Sequence, residues 1–380
     1  MATYALHEAL SKIDATTRER LAAHGFDAAR LMRLAATLAE SDPEVRRDAR
    51  NRVPNVRPPQ PGEILEMPED GPSLAAGERA LREGHLAFCV MAGGMATRMG
   101  GVVKALVTAV DDMSFLDVRL KENARACALA GRPVPLWLMT SDATDGPIRE
   151  ALRSKGAPAH VRTFVQDLSV RLTERGELFV DPTGHPSTYA TGHGDLPDAL
   201  RRSGLLGEFV RSGGKYVWIT NVDNLGATLD PVLLGAFVSA GKELLVEVCD
   251  KVAGDRGGIP VHAPGPDGKD RLQVLEEFRL PKGFDASQVR VFNTNTFLVR
   301  ADTLDRARID WTFFEVQKKV DGKPAVQFER LLQELTAYLD AMYVRVPREG
   351  ARARFLPVKD PEELERRRPE IRAVLAARLS

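Results

Sequence analysis

Only three cysteines occur in 380 residues, Cys89, Cys127 and Cys249, and none stands near enough to another for a Cys-x-x-Cys pair. A zinc ribbon and a dithiol redox motif are excluded, and the odd number suits a reducing compartment better than a disulfide framework. An excess of either charge is also missing. Lys+Arg and Asp+Glu each number 53, and the sequence pI is about 7.1. A broadly basic nucleic-acid or membrane-surface protein would carry a global cationic surplus, so neither partner is expected. Nowhere do eighteen apolar residues run consecutively, and the N-terminal MATYALHEALSKIDATTRER lacks a long apolar h-region, so neither a membrane span nor export is supported. The expectation is a soluble, cytoplasmic protein. Its length, about two and a half times the usual ~150 residues per domain, leaves one large domain or two ordinary ones open.

What is present changes character along the chain. Residues 5 to 40 are rich in Ala, Leu and Arg, with Leu6, Leu10 and Ile13, then Leu31, Leu34 and Leu38, at helical spacing. Two amphipathic helices broken near Gly25 are predicted. Val53 to Pro72 holds six prolines, which suit neither a helix nor a central strand, and reads as an arm over the main body or a linker. Residues 1–80 are therefore set apart from a main body over 81–380.

From residue 86 short apolar runs alternate with helical patterns: LAFCVMA (86–92), PLWLMT (135–140), YVWIT (216–220) and LLVEVC (244–249). FLDVRLKENARACALAG and DPVLLGAFVSAG lie between them and end on glycines that can cap a helix. Near-continuous apolar strands separated by helices indicate an α/β fold with a mixed, mostly parallel sheet between helices. Ligands of such sheets bind beyond the carboxyl ends of the strands. The first run leads into Gly93-Gly94-Met95-Ala96-Thr97-Arg98-Met99-Gly100-Gly101 and then Lys104, read as a strand-to-helix turn. Paired glycines let backbone N–H groups approach anionic oxygens, although this is neither a Walker A loop nor Gly-x-Gly-x-x-Gly, and a ligand-free tight turn is the competing reading. The YVWIT run leads into Asn221-Val222-Asp223-Asn224-Leu225-Gly226. Asp223 there is placed to share Mg²⁺ with substrate phosphates, which takes only one or two carboxylates; capping of the next helix by Asp223 or Asn224 is the alternative.

The glycine-rich loop, GHGD at 192–195, NVDNLGA at 221–227, FNTN at 292–295 and RFLPVK at 354–359 occur in this order. Together they resemble the UDP-glucose pyrophosphorylase family, the eukaryotic-type UTP–glucose-1-phosphate uridylyltransferases, over about residues 84–365. The resemblance implies a Rossmann-like (GT-A-like) nucleotidyltransferase with an N-terminal helical segment packed on it. Its implied reaction is UTP plus glucose 1-phosphate to UDP-glucose plus pyrophosphate, reversible and Mg²⁺-dependent. A sugar-phosphate oxygen would attack the α-phosphorus in line, so the protein's task is to align two polyanions and offset their charge. No covalent nucleophile is needed, in keeping with the lack of a Ser-His-Asp or Cys-His signature.

Under that resemblance, Arg98, Lys104 and Lys318 are the catalytic contacts to phosphate, with Lys319 the fallback for Lys318. Gly93, Gly94, Gln166, Gly192 and Asp223 bind the nucleotide, Gln166 offering the paired donor and acceptor that a pyrimidine edge needs. His193, Gly258, Glu276, Asn293, Asn295 and Lys359 bind the sugar phosphate, with Gly257 beside Gly258, and Asp223 holds the metal. The pattern is not complete. Val102-Val103-Lys104 stands where the family usually has Gly-Pro-Lys, and Arg98 stands where a serine is more frequent. A UDP-N-acetylglucosamine or broad UDP-sugar pyrophosphorylase, and a catalytically weak nucleotide- or sugar-binding homologue, are the alternatives. The chain stops at Ser380, before a C-terminal β-helix such as longer members carry, so a monomer or a dimer through another surface is expected.

Overall fold

An apolar run with no polar alternation can hide both of its faces only inside a layered sheet. In the computed structural model, which describes residues 2–38, 42–69, 71–96, 100–255 and 257–379, the four runs become such strands. Eight strands form the main sheet: β1 (Ile64–Glu66), β2 (Leu86–Met91), β3 (Leu136–Thr140), β4 (Val161–Val165), β5 (Tyr216–Asn221), β6 (Leu244–Asp250), β7 (Val291–Arg300) and β8 (Ala341–Arg345). Their order is β1-β8-β6-β7-β5-β2-β3-β4. Every neighbouring pair is parallel except the two that β7 makes, with β5 and β6. The fold is thus the mixed, mostly parallel α/β sheet expected. β2 and β5 pair from Tyr216 with Leu86 to Asn221 with Met91. The loops that follow them therefore leave one edge of the sheet side by side.

β7 supplies the local irregularity that builds the site. Val246 of β6 pairs with Phe297 and Val248 with Asn293, so Thr294, Asn295 and Thr296 stand opposite Glu247 alone. Asn295 takes φ +59° in this bulge, a left-handed conformation that asparagine tolerates better than most residues. Thr294 Oγ1 donates to the Glu247 carbonyl at 3.0 Å, and Thr220 and Thr296 hydroxyls meet at 3.2 Å.

Helix ends follow local chemistry. Phe115–Ala130 starts on a capping box in which Ser114 and Asp117 satisfy one another's N–H groups, and ends at Gly131 with φ +64°; Pro231–Ala240 is capped by Asp230 and ends at Gly241 with φ +65°. Both glycine caps were expected. Two expectations differ. Where two N-terminal helices are predicted, three form, Ala2–Ser11, Ala15–Ala23 and Ala28–Leu38, because Asp14 caps a new start at Ala15 by accepting from the Thr17 N–H. The glycine-rich loop does not enter a helix: it turns into a small hairpin, Met95–Ala96 with Val102–Val103, and the helix waits until Phe115.

The first three helices bury Leu6, Leu21, Leu31 and Leu38 against Leu168, Val170, Leu172, Val326 and Phe328, an apolar cluster separate from the sheet's core. The proline-rich segment lies along the main body. Its Ile64–Glu66 pairs with β8 at the sheet's edge, and Arg57 bridges to His262.

The helices Pro72–Arg82 and Pro231–Ala240 approach so closely that no side chain fits between them at the crossing. An ideal Cβ on Gly77 would fall 1.8 Å from the Pro231 carbonyl oxygen, and one on Gly235 would fall 1.7 Å from that of Ser73. Gly77→Ala and Gly235→Ala should each force the pair apart and cost about 1–3 kcal/mol, read as a lowered urea midpoint. A midpoint unchanged in both would mean that the helices separate freely.

Candidate active site

At the carboxyl edge of the sheet Gly93 lies against Gln166. A Cβ there would sit 3.0 Å from Gln166 Oε1 and 3.3 Å from the Ser141 amide nitrogen, while one on Gly94 would meet nothing within 4 Å. Ser141 Oγ donates to the Gly93 carbonyl at 2.9 Å, and the Gln166 amide donates to the Thr140 carbonyl at 2.9 Å. These contacts tie the glycine loop to the ends of β3 and β4. The result is a corner with an open backbone at Gly94 and a buried amide side chain beside it.

GHGD owes its glycines to a neighbouring strand of chain. A Cβ on Gly192, which has φ +99°, would fall 2.5 Å from the Arg330 carbonyl oxygen, and one on Gly194 would fall 2.7 Å from the Leu331 amide nitrogen. Gly194 N–H donates to Arg330 O at 3.0 Å and Arg330 N–H to Thr191 O at 2.9 Å. The Arg330 guanidinium then closes the arrangement, reaching Asp195 at 2.6 Å, Asp167 at 2.6 Å and Asp198 at 2.5 Å. Burial pushes Asp195 up to about 7 against the pull of Arg330, and Asp167 adds to the push. Asp167 follows Gln166 directly, so one buried cation positions both the Gln166 corner and the GHGD turn.

His193 faces the next compartment. Its Nδ1 accepts from the Leu332 amide at 3.0 Å, which leaves the ring's proton on Nε2 in the neutral form. Burial pushes this imidazole down to about 4. A neutral ring with a fixed acceptor side is a hydrogen-bond donor on its other side.

His193 is one wall of a cleft of about 330 Å³ lined by Asn221, Asp223, Asn224, Asp255, Gly257, Gly258, Glu276, Phe292, Asn293, Thr294, Asn295, Gln333, Phe355, Pro357 and Lys359. The walls come from seven separated stretches of chain. Asn295 Nδ2 donates to Asn221 Oδ1 at 3.2 Å and its backbone N–H to Asn293 Oδ1 at 3.0 Å. Gln333 Nε2 donates to Glu276 Oε1 at 2.5 Å, and burial raises the Glu276 carboxyl above its ordinary range. Adjacent Glu277 instead meets Lys251 at the surface, at 3.0 Å. Asp255 is held by Arg348 at 2.5 Å, and Arg348 lies over both Phe292 and Phe355.

The NVDNLGA loop is braced from beneath. Fully buried Arg119 donates to the carbonyls of Asn221 at 3.0 Å and Asn224 at 2.6 Å, and Asn224 Oδ1 accepts from the Leu356 amide at 2.8 Å. Asp223 and Asn224 therefore do not cap the next helix, which Asp230 does. Arg354 of RFLPVK forms a buried bidentate pair with Glu247 of β6, at 2.9 and 2.7 Å, and so sets Phe355, Pro357 and Lys359 along the cleft.

Asp223 forms an ion pair with Lys104, and this contact joins the Gly93–Gln166 corner to the cleft. Among the described residues no three His, Cys, Asp or Glu side chains stand together as a metal cage. Asp223 is thus suited to a cation shared with ligand oxygens rather than enclosed by protein.

Of the residues expected from sequence, His193, Asp223, Gly257, Gly258, Glu276, Asn293, Asn295 and Lys359 line one cleft, with Gly93, Gly94, Gln166 and Lys104 beside it. Gly192 supports His193 without lining the cleft. Lys318 is a departure: it and Lys319 are exposed on the Phe314–Val320 strand of a hairpin, Lys318 lies 3.8 Å from Glu329, and neither lysine is on the cleft wall. The hairpin buries its apolar side against the N-terminal helices, which leaves that edge in solvent. Arg98 lies outside the described residues. Sequence reasoning missed Asp255, Gln333 and Arg330. Only a glutamate inside the apolar LLVEVC run signalled a buried partner such as Arg354.

A family profile described as UTP–glucose-1-phosphate uridylyltransferase matches residues 45–368. The chain is 30% identical over 327 residues to the UTP–glucose-1-phosphate uridylyltransferase of Encephalitozoon cuniculi, across 82% of this chain and 62% of that protein. It therefore spans about three fifths of that relative's length. Its fold is similar to that of a UDP-glucose phosphorylase from Trypanosoma brucei, with a TM-score of 0.74, 22% identity, and coverage of 96% of this chain and 78% of that one. It is similar too to a uridine diphosphate N-acetylglucosamine pyrophosphorylase from Trypanosoma brucei, with a TM-score of 0.73, 20% identity, and coverage of 93% and 79%. No described helix is long and apolar enough to cross a membrane.

The His193 ring should titrate near pH 4 in the folded protein, not near 6.5, in a carbon-resolved NMR titration. Because the folded value is depressed, this group's contribution to stability is complete above 6.5 and lost as pH falls from 6.5 towards 4; a midpoint near 6.5 would contradict its burial. Arg330→Met leaves buried Asp195 with no cationic partner among the described residues, while Asp167 and Asp198 keep Arg202 and Arg201, and should lower stability by about 3–5 kcal/mol in denaturant titrations.

Proposed function

Because the chain belongs to the UTP–glucose-1-phosphate uridylyltransferase family, we propose that it converts UTP and glucose 1-phosphate into UDP-glucose and pyrophosphate. The observation that carries the reading is the single cleft in which His193, Asp223, Glu276, Asn293, Asn295 and Lys359 meet beside the Gly93–Gln166 corner. A sugar-phosphate oxygen forms a bond to the α-phosphorus of UTP as the bond to the departing pyrophosphate breaks, with no covalent enzyme intermediate. Gln166 and the open backbone at Gly94 receive the nucleotide. Glu276, Asn293 and Asn295 receive sugar hydroxyls, for which carboxylate and amide groups are natural partners.

His193, neutral and with its proton on Nε2, donates to the sugar phosphate without adding a charge that would need solvation. Lys359, at the cleft's rim, supplies a cation to the same group. Mg²⁺, when bound with the nucleotide, would withdraw charge from the α-phosphorus. Asp223 would be its ligand from the protein. Lys104 neutralises Asp223 in this structure; with the nucleotide bound, the Lys104 ammonium would hold a phosphate oxygen and the Asp223 carboxylate would hold the cation. Two mutually neutralising groups thus keep the site from carrying an unpaired, largely buried charge.

Pyrophosphate release from UTP, assayed with glucose 1-phosphate, N-acetylglucosamine 1-phosphate and other sugar 1-phosphates, with and without Mg²⁺, tests the reading. Turnover should be greatest with glucose 1-phosphate and require the metal. Binding of UTP with no turnover on any sugar would overturn it in favour of a non-catalytic binding protein. Asp223→Ala should lower kcat by about 10³-fold or more, the scale expected when the main electrostatic support of the transition state is removed, with an unaltered circular-dichroism spectrum. Near-normal turnover in that variant would take Asp223 out of the metal site.

A further inference from the structure

We propose that Gln333 selects the substrate by accepting a hydrogen bond from one sugar hydroxyl, next to the hydroxyl bound by Glu276, so that the preferred ligand is a sugar 1-phosphate with two neighbouring free hydroxyls. The proposal rests on the uridylyltransferase reading and deepens its sugar end. Gln333 lines the cleft and is only 3% exposed. Its backbone is held rigidly, since Thr336 Oγ1 donates to the Gln333 carbonyl at 2.6 Å while accepting from the Val274 amide at 2.9 Å.

The side-chain amide has one satisfied end. Nε2 donates to Glu276 Oε1 at 2.5 Å, whereas Oε1 is buried with no hydrogen-bond partner among the described residues. An ionised carboxylate only accepts, so the amide's orientation is fixed with nitrogen towards Glu276 and oxygen away from it. A buried acceptor without a donor is unfavourable, and a ligand that brings an O–H to it removes that penalty. Glu276 itself keeps acceptor capacity beyond the Gln333 contact.

Two acceptors are therefore neighbours, linked by the hydrogen bond from the Gln333 nitrogen. Their complement is a pair of adjacent groups that both donate, as a vicinal diol does. Fluorine in place of the hydroxyl read by Gln333 would set acceptor against acceptor, and hydrogen would leave Oε1 unpaired. A pocket that loses a hydrogen bond to its own buried polar group discriminates far more strongly than one that loses only a contact.

The test is kcat/KM of the full chain with glucose 1-phosphate and its 2-, 3-, 4- and 6-deoxyfluoro analogues, for the wild type, Gln333→Leu and, should the leucine variant misfold, Gln333→Met. The parent sugar should lose about 30- to 100-fold in the variants. Discrimination against fluorine should vanish at one ring position only, and KM for UTP should stay within about twofold. An equal fall for all five sugars, or no fall, would overturn the proposal while leaving the enzymatic reading intact. Absence of turnover by the wild type with every sugar would instead remove that reading and this inference together.

Discussion

A guanidinium buried in a protein must be answered by carboxylates, and at Arg330 that requirement organises the site. Its three partners, Asp167, Asp195 and Asp198, come from segments more than 130 residues away in sequence. Asp167 carries Gln166 with it, and Asp195 carries the GHGD turn. Around Arg330 the chain passes so near Gly192 and Gly194 that a methyl group at either would collide with its backbone. Removing Arg330 would leave buried Asp195 without a cation among the described residues, whereas Asp167 and Asp198 would keep Arg202 and Arg201. Trp311 and Phe313 flank the guanidinium and add an aromatic face to its surroundings.

Two other buried arginines follow the same rule at other loops. Arg119, paired with Glu122, holds the carbonyls behind Asp223, and Arg354, paired with Glu247, fixes the segment that ends at Lys359. Each brings a cation near the ligand cleft but spends it on carboxylates and backbone oxygens. The overall balance of 53 acidic and 53 basic residues is the bulk expression of this pairing. It is compatible with the proposed polyanionic ligands, because the charge offered to them would be local: Lys104, Lys359 and open backbone N–H groups. Neutral composition has no bearing on a local phosphate site.

Residues inside compact motifs were the readable part of the site. His193, Asp223, Asn293 and Asn295 lie inside motifs only four to seven residues long, and each lines the cleft. Lys318 was less readable, because in an alternating hairpin a side chain's direction depends on which face is covered, and that face is covered by helices from the other end of the chain. Gln333 and Arg330 carry no local signature at all. Each acquires its meaning from partners 57 and 135 residues away, Glu276 and Asp195. The glycine loop's hairpin, where a helix was expected, belongs to the same class of error, since glycine permits either outcome.

By itself the sequence determined the four apolar central strands, the capped helices between them and the fold class. Apolar runs too continuous for a surface strand, spaced by capped helices, admit only a covered, mostly parallel sheet, and that sheet puts the chemistry at its carboxyl edge. Tertiary structure alone decided where β7 enters antiparallel, how its bulge turns Asn295 to the cleft, which tautomer His193 adopts and which acceptor is left without a donor. The physical reason is range. Helix, strand and cap preferences act over a few residues and are written locally, whereas buried charges and amides are satisfied by whatever the fold brings to them.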